Sequence, residues 1–147
     1  MIWLKVIFLD FNGVLDNSEN YNIVDEENLN ILKEIIDETG AKVVVSSSIK
    51  NTYFYAGHHN RVMEYLIDVL TENNIEIYGL TPWLKNREKE IQDYLEKNPD
   101  ISEYCIIDDD FYFESMKEHM VKLKHQLLGG NGLKEIDKNQ IIKILKR

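Results

Sequence analysis

Asp10 and Asn12 stand two residues apart at the end of an apolar run, Lys5-Val6-Ile7-Phe8-Leu9, and Gly13 follows them. The run strings β-branched and aromatic residues together without polar alternation, which predicts a buried strand. A carboxylate at the C-terminal tip of such a strand lies on the edge where open α/β sheets bind ligands. An acid there, then a second polar side chain and a glycine for a sharp turn, has the makings of a nucleophile and metal site. The same residues also suit a plain acidic turn, so the remaining clusters have to discriminate.

Three such clusters occur. Ser46-Ser47-Ser48 follow Lys42-Val43-Val44-Val45; hydroxyls and backbone N–H groups at a strand tip bind phosphoryl oxygens, although a serine-rich turn has the same composition. Thr81 and a basic segment, Lys85, Arg87 and Lys89, follow a third short apolar run. Asp108-Asp109-Asp110 end a fourth, Glu103-Tyr104-Cys105-Ile106-Ile107. If the strands are parallel, all four tips share one edge. Acids gathered there repel one another unless a cation lies between them. A hard divalent ion held by carboxylate and carbonyl oxygens, Mg²⁺ above all, is the economical explanation. His58 and His59 lie in a loop with Tyr53, Phe54 and Tyr55. Lacking a matching Cys or His cluster, that pair points to substrate contact or plain surface rather than to a structural metal.

The elements that must position these residues alternate along the chain. Strands are expected over residues 3–9, 41–45, 75–78 and 103–107, with a weaker edge strand over 121–126. Asp25 predicts a helix N-cap, with Glu26 and Glu27 in the first turn and Leu29, Leu32, Ile35 and Ile36 at helical spacing; Gly40 is its C-cap. Further helices are expected over residues 61–71 and 87–96, a short one over 113–119, and a last one capped by Asp137. Gly129-Gly130-Asn131-Gly132 reads as a flexible turn. Alternating strands and helices predict an α/β fold: a parallel five-stranded sheet, Rossmann-like, with helices on both faces in a three-layer sandwich.

A chain of 147 residues is expected to be a single domain with a core that needs no disulfide. The net charge of -9 argues against a general polyanion-binding surface, which needs basic patches. The one cysteine, Cys105, reads as a buried hydrophobe in a reducing compartment. The N-terminal apolar run is short, contains Lys5 and leads into an acid, unlike a signal peptide. No segment approaches the ~20 apolar residues of a membrane span, so a cytoplasmic protein without membrane contact is expected. Oligomeric state is left open.

As a set, the motifs resemble the haloacid dehalogenase (HAD) superfamily of aspartate-nucleophile phosphatases and phosphotransferases. Phe8-Leu9-Asp10-Phe11-Asn12-Gly13-Val14-Leu15-Asp16 is similar to its first motif, Val43-Val44-Val45-Ser46-Ser47 to the second, Arg87 at a helix start to the basic third, and Ile106-Ile107-Asp108-Asp109 to the acidic fourth. More narrowly, Ser46-Ser47-Ser48-Ile49-Lys50, Gly79-Leu80-Thr81-Pro82 through Arg87-Glu88-Lys89-Glu90-Ile91, Ile107-Asp108-Asp109-Asp110 and Gly132-Leu133 resemble the small capless HAD domains of modular "Swiss army knife" RNA-repair proteins. The resemblance implies one HAD-like domain over residues 1–147 with no large cap. It implies Asp10 as nucleophile, and Mg²⁺ held by Asp10, the Asn12 carbonyl, and Asp108 or Asp109. Ser46 or Ser47 and Arg87 would bind the phosphoryl oxygens, with Lys85 and Lys89 as alternatives to Arg87. The implied partners are a phosphorylated small molecule or a nucleic-acid end, and RNA-repair proteins.

One position departs from the resembled pattern. Active HAD phosphatases carry an aspartate where this chain has Asn12; it protonates the leaving oxygen and then activates water. An amide has no titratable proton for either task, and such help is worth roughly 100- to 10,000-fold. The backbone carbonyl is unaffected. Metal and phosphate binding are therefore expected, with an impaired acid/base step. A catalytically weak phosphate- or nucleic-acid-end-binding module is the alternative. Asp16 and the loop histidines are candidate stand-ins for the missing acid.

Overall fold

The computed structural model describes residues 4–16, 20, 22–47, 61–109, 111–123 and 132–147. Ser48, the aromatic and histidine loop of residues 51–60, Asp110 and most of the glycine turn lie outside them.

Five short apolar runs pair into one all-parallel sheet. Its strands are β1 (Leu4–Leu9), β2 (Lys42–Val45), β3 (Ile77–Leu80), β4 (Ile101–Asp108) and β5 (Met120–Lys122), in the order β3-β2-β1-β4-β5. The strand expected to carry the nucleophile is therefore central, flanked by β2 and β4, two of the three other strands whose tips bear polar clusters. Central strands of a parallel sheet are covered on both faces, and the alternation along β1 bears this out. Ile7 and Leu9 point into one core with Val43, Val45, Cys105 and Ile107, while Val6 and Phe8 point into another with Val44 and Ile106.

The first face is covered by α1 (Glu26–Thr39), α2 (Arg61–Glu72) and α4 (Glu135–Leu145), through Leu32, Ile35, Leu66, Leu70, Ile141 and Leu145. The second is covered by α3 (Arg87–Lys97), through Ile91, and by a 3₁₀ helix (Glu114–His119), through Met116. This is the expected three-layer α/β sandwich, and the described residues carry no separate cap domain. Among them no helix is long and apolar enough to cross a membrane.

The caps explain why α1 sits where it does. The Asp25 carboxylate accepts the Asn28 N–H at 3.0 Å, a bond worth about 1 kcal/mol, and Gly40 closes the helix at φ 72°. Other boundaries differ from expectation. β3 begins two residues later than predicted and runs through Gly79, because Gly79 and Leu80 pair with Val44 and Val45 of β2; the Tyr94 hydroxyl lies where a β-carbon at Gly79 would stand. β4 extends over Ile101 and Ser102 and includes Asp108 as its last residue, so this acid belongs to the sheet and not to the following loop. The helix expected over 113–119 is a kinked 3₁₀ helix, and β5 runs over Met120–Lys122, beginning one residue before the edge strand expected over 121–126, whose residues 124–126 lie outside the described residues. Asp137 does not occupy the N-cap. Lys134 does, and the Asp137 carboxylate reaches back to its N–H at 2.9 Å.

Candidate active site

Register sets the site before any side chain is placed. Leu9 pairs with Val45 on one side and Ile107 on the other, and Val45 pairs with Leu80. The residues just past these pairs, Asp10, Ser46, Thr81 and Asp108, therefore stand side by side. Backbone bonds carry the ladder one step beyond the strands, from Ser46 N to Leu9 O at 2.8 Å and from Thr81 N to Val45 O at 3.1 Å.

Asp10, Asp108 and Asp109 converge: one carboxylate oxygen from each lies within 4.8 Å of the others. Asp108 is fully buried and Asp109 half-buried. Asp109 can approach only because residue 13 is a glycine. The Gly13 backbone is left-handed, at φ 80°, and any β-carbon there would overlap the Asp109 carboxylate.

Asp10 is pushed up to about 7, chiefly by burial and then by the neighbouring Asp108 charge; Arg87 and a hydrogen bond from Ser47 pull the other way. Its carboxylate also accepts the Phe11 N–H at 2.9 Å. A buried carboxylate so displaced is deficient in positive charge. The three hard oxygen donors therefore fit a divalent ion such as Mg²⁺, which would supply that charge and polarise a phosphoryl group.

Of the three basic candidates, Arg87 is the one turned inward. Its side chain is 8% exposed, and Nη1 lies 3.0 Å from Asp108 Oδ2. Lys85 and Lys89 are exposed. Arg87 opens α3 behind the N-cap Asn86, whose side chain accepts the Lys89 N–H. Glu90, one turn on and also buried, faces Arg87 at 3.8 Å and accepts the Leu84 N–H at 3.0 Å. The guanidinium further lies 5.0 Å from the Phe111 ring centroid, while Phe111 N–H donates to Asp108 Oδ1 at 3.1 Å. Ser46 and Ser47 are both buried, and Ser47 is the one bonded to Asp10.

Asn12 lies in the tight turn after β1. Its carboxamide nitrogen donates to Asp16 Oδ2 and to Asn22 Oδ1, each at 2.7 Å. Asp16, 1% exposed, also accepts Gly13 N–H at 2.7 Å and Asn22 N–H at 2.8 Å. A carboxylate so occupied as an acceptor is ill placed to stand in as a general acid; the histidine stand-ins lie outside the described residues.

Sequence reasoning passed over Glu90, Phe111 and Asn22. Glu90 had a signal, an acid three residues after Arg87 on one helix face. Asn22 had a weaker one, an asparagine able to adopt φ 65° in a polar connector. Phe111 had none.

A family model described as the HAD domain in Swiss Army Knife RNA repair proteins covers residues 6–131. No curated protein and no solved structure matches.

Proposed function

The chain belongs to the family of HAD domains in Swiss Army Knife RNA repair proteins, and from that premise we propose that it is a Mg²⁺-dependent phosphohydrolase or phosphotransferase with Asp10 as nucleophile. Its substrates are phosphates of nucleotides or nucleic-acid ends, met in the company of RNA-repair proteins. The observation that carries this reading is the meeting of Asp10, Asp108 and Asp109 within 4.8 Å beside the inward-turned Arg87.

Each residue has a task in this scheme. Asp10 attacks phosphorus, forming the aspartyl–phosphate bond as the bond to the leaving oxygen breaks. Ser46, and Ser47 once its O–H turns from Asp10 to the phosphate, offer donors to the equatorial oxygens, with Arg87 as the cationic partner. Asp10, Asp108, Asp109 and the Asn12 carbonyl would hold Mg²⁺, which would supply positive charge to the phosphoryl group. The proton for the leaving oxygen does not come from Asn12, so solvent supplies it and good leaving groups are favoured. Water then hydrolyses the aspartyl-phosphate, slowly for the same reason. A site on an acidic chain suits a phosphate end presented to an open sheet edge better than a long polyanion lying along the surface.

A second reading has one observation in its favour. The Asn12 carboxamide nitrogen is committed to Asp16 and Asn22, as it would be in a module that binds phosphate ends without turning them over. Hydrolysis of an aryl phosphate, with and without Mg²⁺, separates the two. Mg²⁺-dependent turnover that Asp10→Asn abolishes supports the enzyme. Phosphate- and Mg²⁺-dependent stabilisation with no turnover above that of Asp10→Asn supports the binding module.

A further inference from the structure

We propose that Asp16 is a positioning residue that obliges position 12 to be an amide: a carboxylate is tolerated at position 12 only when position 16 gives up its charge. Hydrogen-bond polarity decides the matter. Asp16 is a buried carboxylate, so everything within hydrogen-bond distance of it must donate. Gly13 N–H faces Oδ1, while Asn22 N–H and the Asn12 carboxamide face Oδ2, at 2.7, 2.8 and 2.7 Å respectively. That requirement fixes the orientation of the Asn12 amide, nitrogen towards Asp16, which geometry alone would not distinguish from its flipped form. The same nitrogen reaches Asn22 Oδ1 at 2.7 Å. Asn22 holds φ 65°, the conformation that turns both its N–H and its side chain back onto the turn after β1.

An aspartate at position 12 would place two carboxylates in contact, with the inner one unable to reach water. Like charges so placed oppose each other's ionised forms, and a buried charge stripped of its donor is costly. The amide is thus the complement of Asp16, and the absence of an acid at position 12 follows from the wiring of this turn. Asp16 and Asn12 adjoin the site of the function proposed above, yet a stability measurement tests their pairing whether or not phosphate is turned over.

The experiment ranks melting temperatures of Asn12→Ala and Asn12→Asp in the natural chain and in Asp16→Asn, without added metal. Alanine removes the donor; aspartate removes it and adds a repelling charge. In the natural chain Asn12→Asp should melt below Asn12→Ala, by about 5 °C or more, and failure of Asn12→Asp alone to fold counts as the lower rank. In the Asp16→Asn chain the order should invert, because the amide introduced at position 16 can donate to the carboxylate introduced at position 12. If Asn12→Asp matches or exceeds Asn12→Ala in the natural chain, the proposal is overturned. The same order in both backgrounds overturns it equally.

Discussion

Arg87 Nη1 lies 3.0 Å from Asp108 Oδ2, with only 8% and 1% of the two side chains exposed. Removing one member of a buried pair strands the other charge, at about 3–5 kcal/mol. Arg87→Ala should therefore lower the melting temperature by about 10 °C, at the few degrees per kcal/mol expected for a domain of this size. Arg87→Lys keeps the charge but loses the planar fork that serves Asp108 and Glu90 together, so its loss should be smaller. In both variants thermal melts measure the stability loss. In Arg87→Ala the loss of a favourable cation should also raise the Asp10 pKa further, moving any pH dependence of metal binding to higher pH.

Asp10 supplies a pH signature of its own. Its carboxyl is raised from 3.8 to about 7, first by burial and then by Asp108. Between those values the folded chain holds a proton that the unfolded chain has released, so stability falls as pH rises through that window. Above it the metal-free protein carries the full cost, about 4 kcal/mol. Asp10→Asn should melt with the natural protein near pH 4 and well above it near pH 8. Mg²⁺ should stabilise the natural protein most at the higher pH and Asp10→Asn little at either, as read by melting curves with and without Mg²⁺.

Asp109 rests on the backbone of Gly13, and Gly40 provides the control for that contact. Both glycines are left-handed, at φ 80° and 72°, but a β-carbon at Gly40 meets nothing within 4 Å. Gly40→Ala should cost only the backbone penalty, about 1–2 kcal/mol. Gly13→Ala adds the displacement of Asp109 and should cost more, together with a loss of Mg²⁺ affinity of about tenfold or greater. Calorimetric titration of Mg²⁺ into both variants checks this; equal affinities would remove Asp109 from the proposed metal-binding set.

The parts of this arrangement that the sequence made legible are those written in local chemistry. A run such as Val6-Ile7-Phe8-Leu9 can hardly be other than a covered strand, and an acid at its end falls on the ligand-binding edge once the sheet is parallel. Asp25 and Gly40 announce α1 because capping is a contact between near neighbours. What escaped depends on distant packing. Gly79 looked like a strand end, yet it lies within β3 because it pairs with Val44 of β2, a partner distant in the chain. Asp137 looked like an N-cap because the residue at that position, Lys134, has no capping side chain of the usual kind. The network joining Asn12, Asp16 and Asn22 spans ten residues and a backbone turn, and nothing in the spacing of those residues declares it.

That network leads to the last prediction, which concerns turnover. Asn12→Asp alone supplies the missing acid but sets it against Asp16, so the turn that carries Asp10 and Gly13 should be disturbed and little activity gained. The paired exchange Asn12→Asp with Asp16→Asn supplies the acid and lets the new amide at position 16 donate to it, at the cost of an imperfect contact with the Asn22 or Gly13 N–H and of the bond to Asn22 Oδ1, which the Asn22 amide must turn over to remake. If Asp10 is the nucleophile, the paired variant should hydrolyse an aryl phosphate faster than the natural protein in the presence of Mg²⁺. The ceiling is the roughly 100- to 10,000-fold that general acid–base help provides. The gain should be larger for alkyl phosphates, whose poorer leaving groups need the proton more. Adding Asp10→Asn to the paired variant should abolish it. A paired variant that folds, binds Mg²⁺ and still shows no gain would mean that the slow step lies elsewhere than in the proton transfer that Asn12 cannot perform.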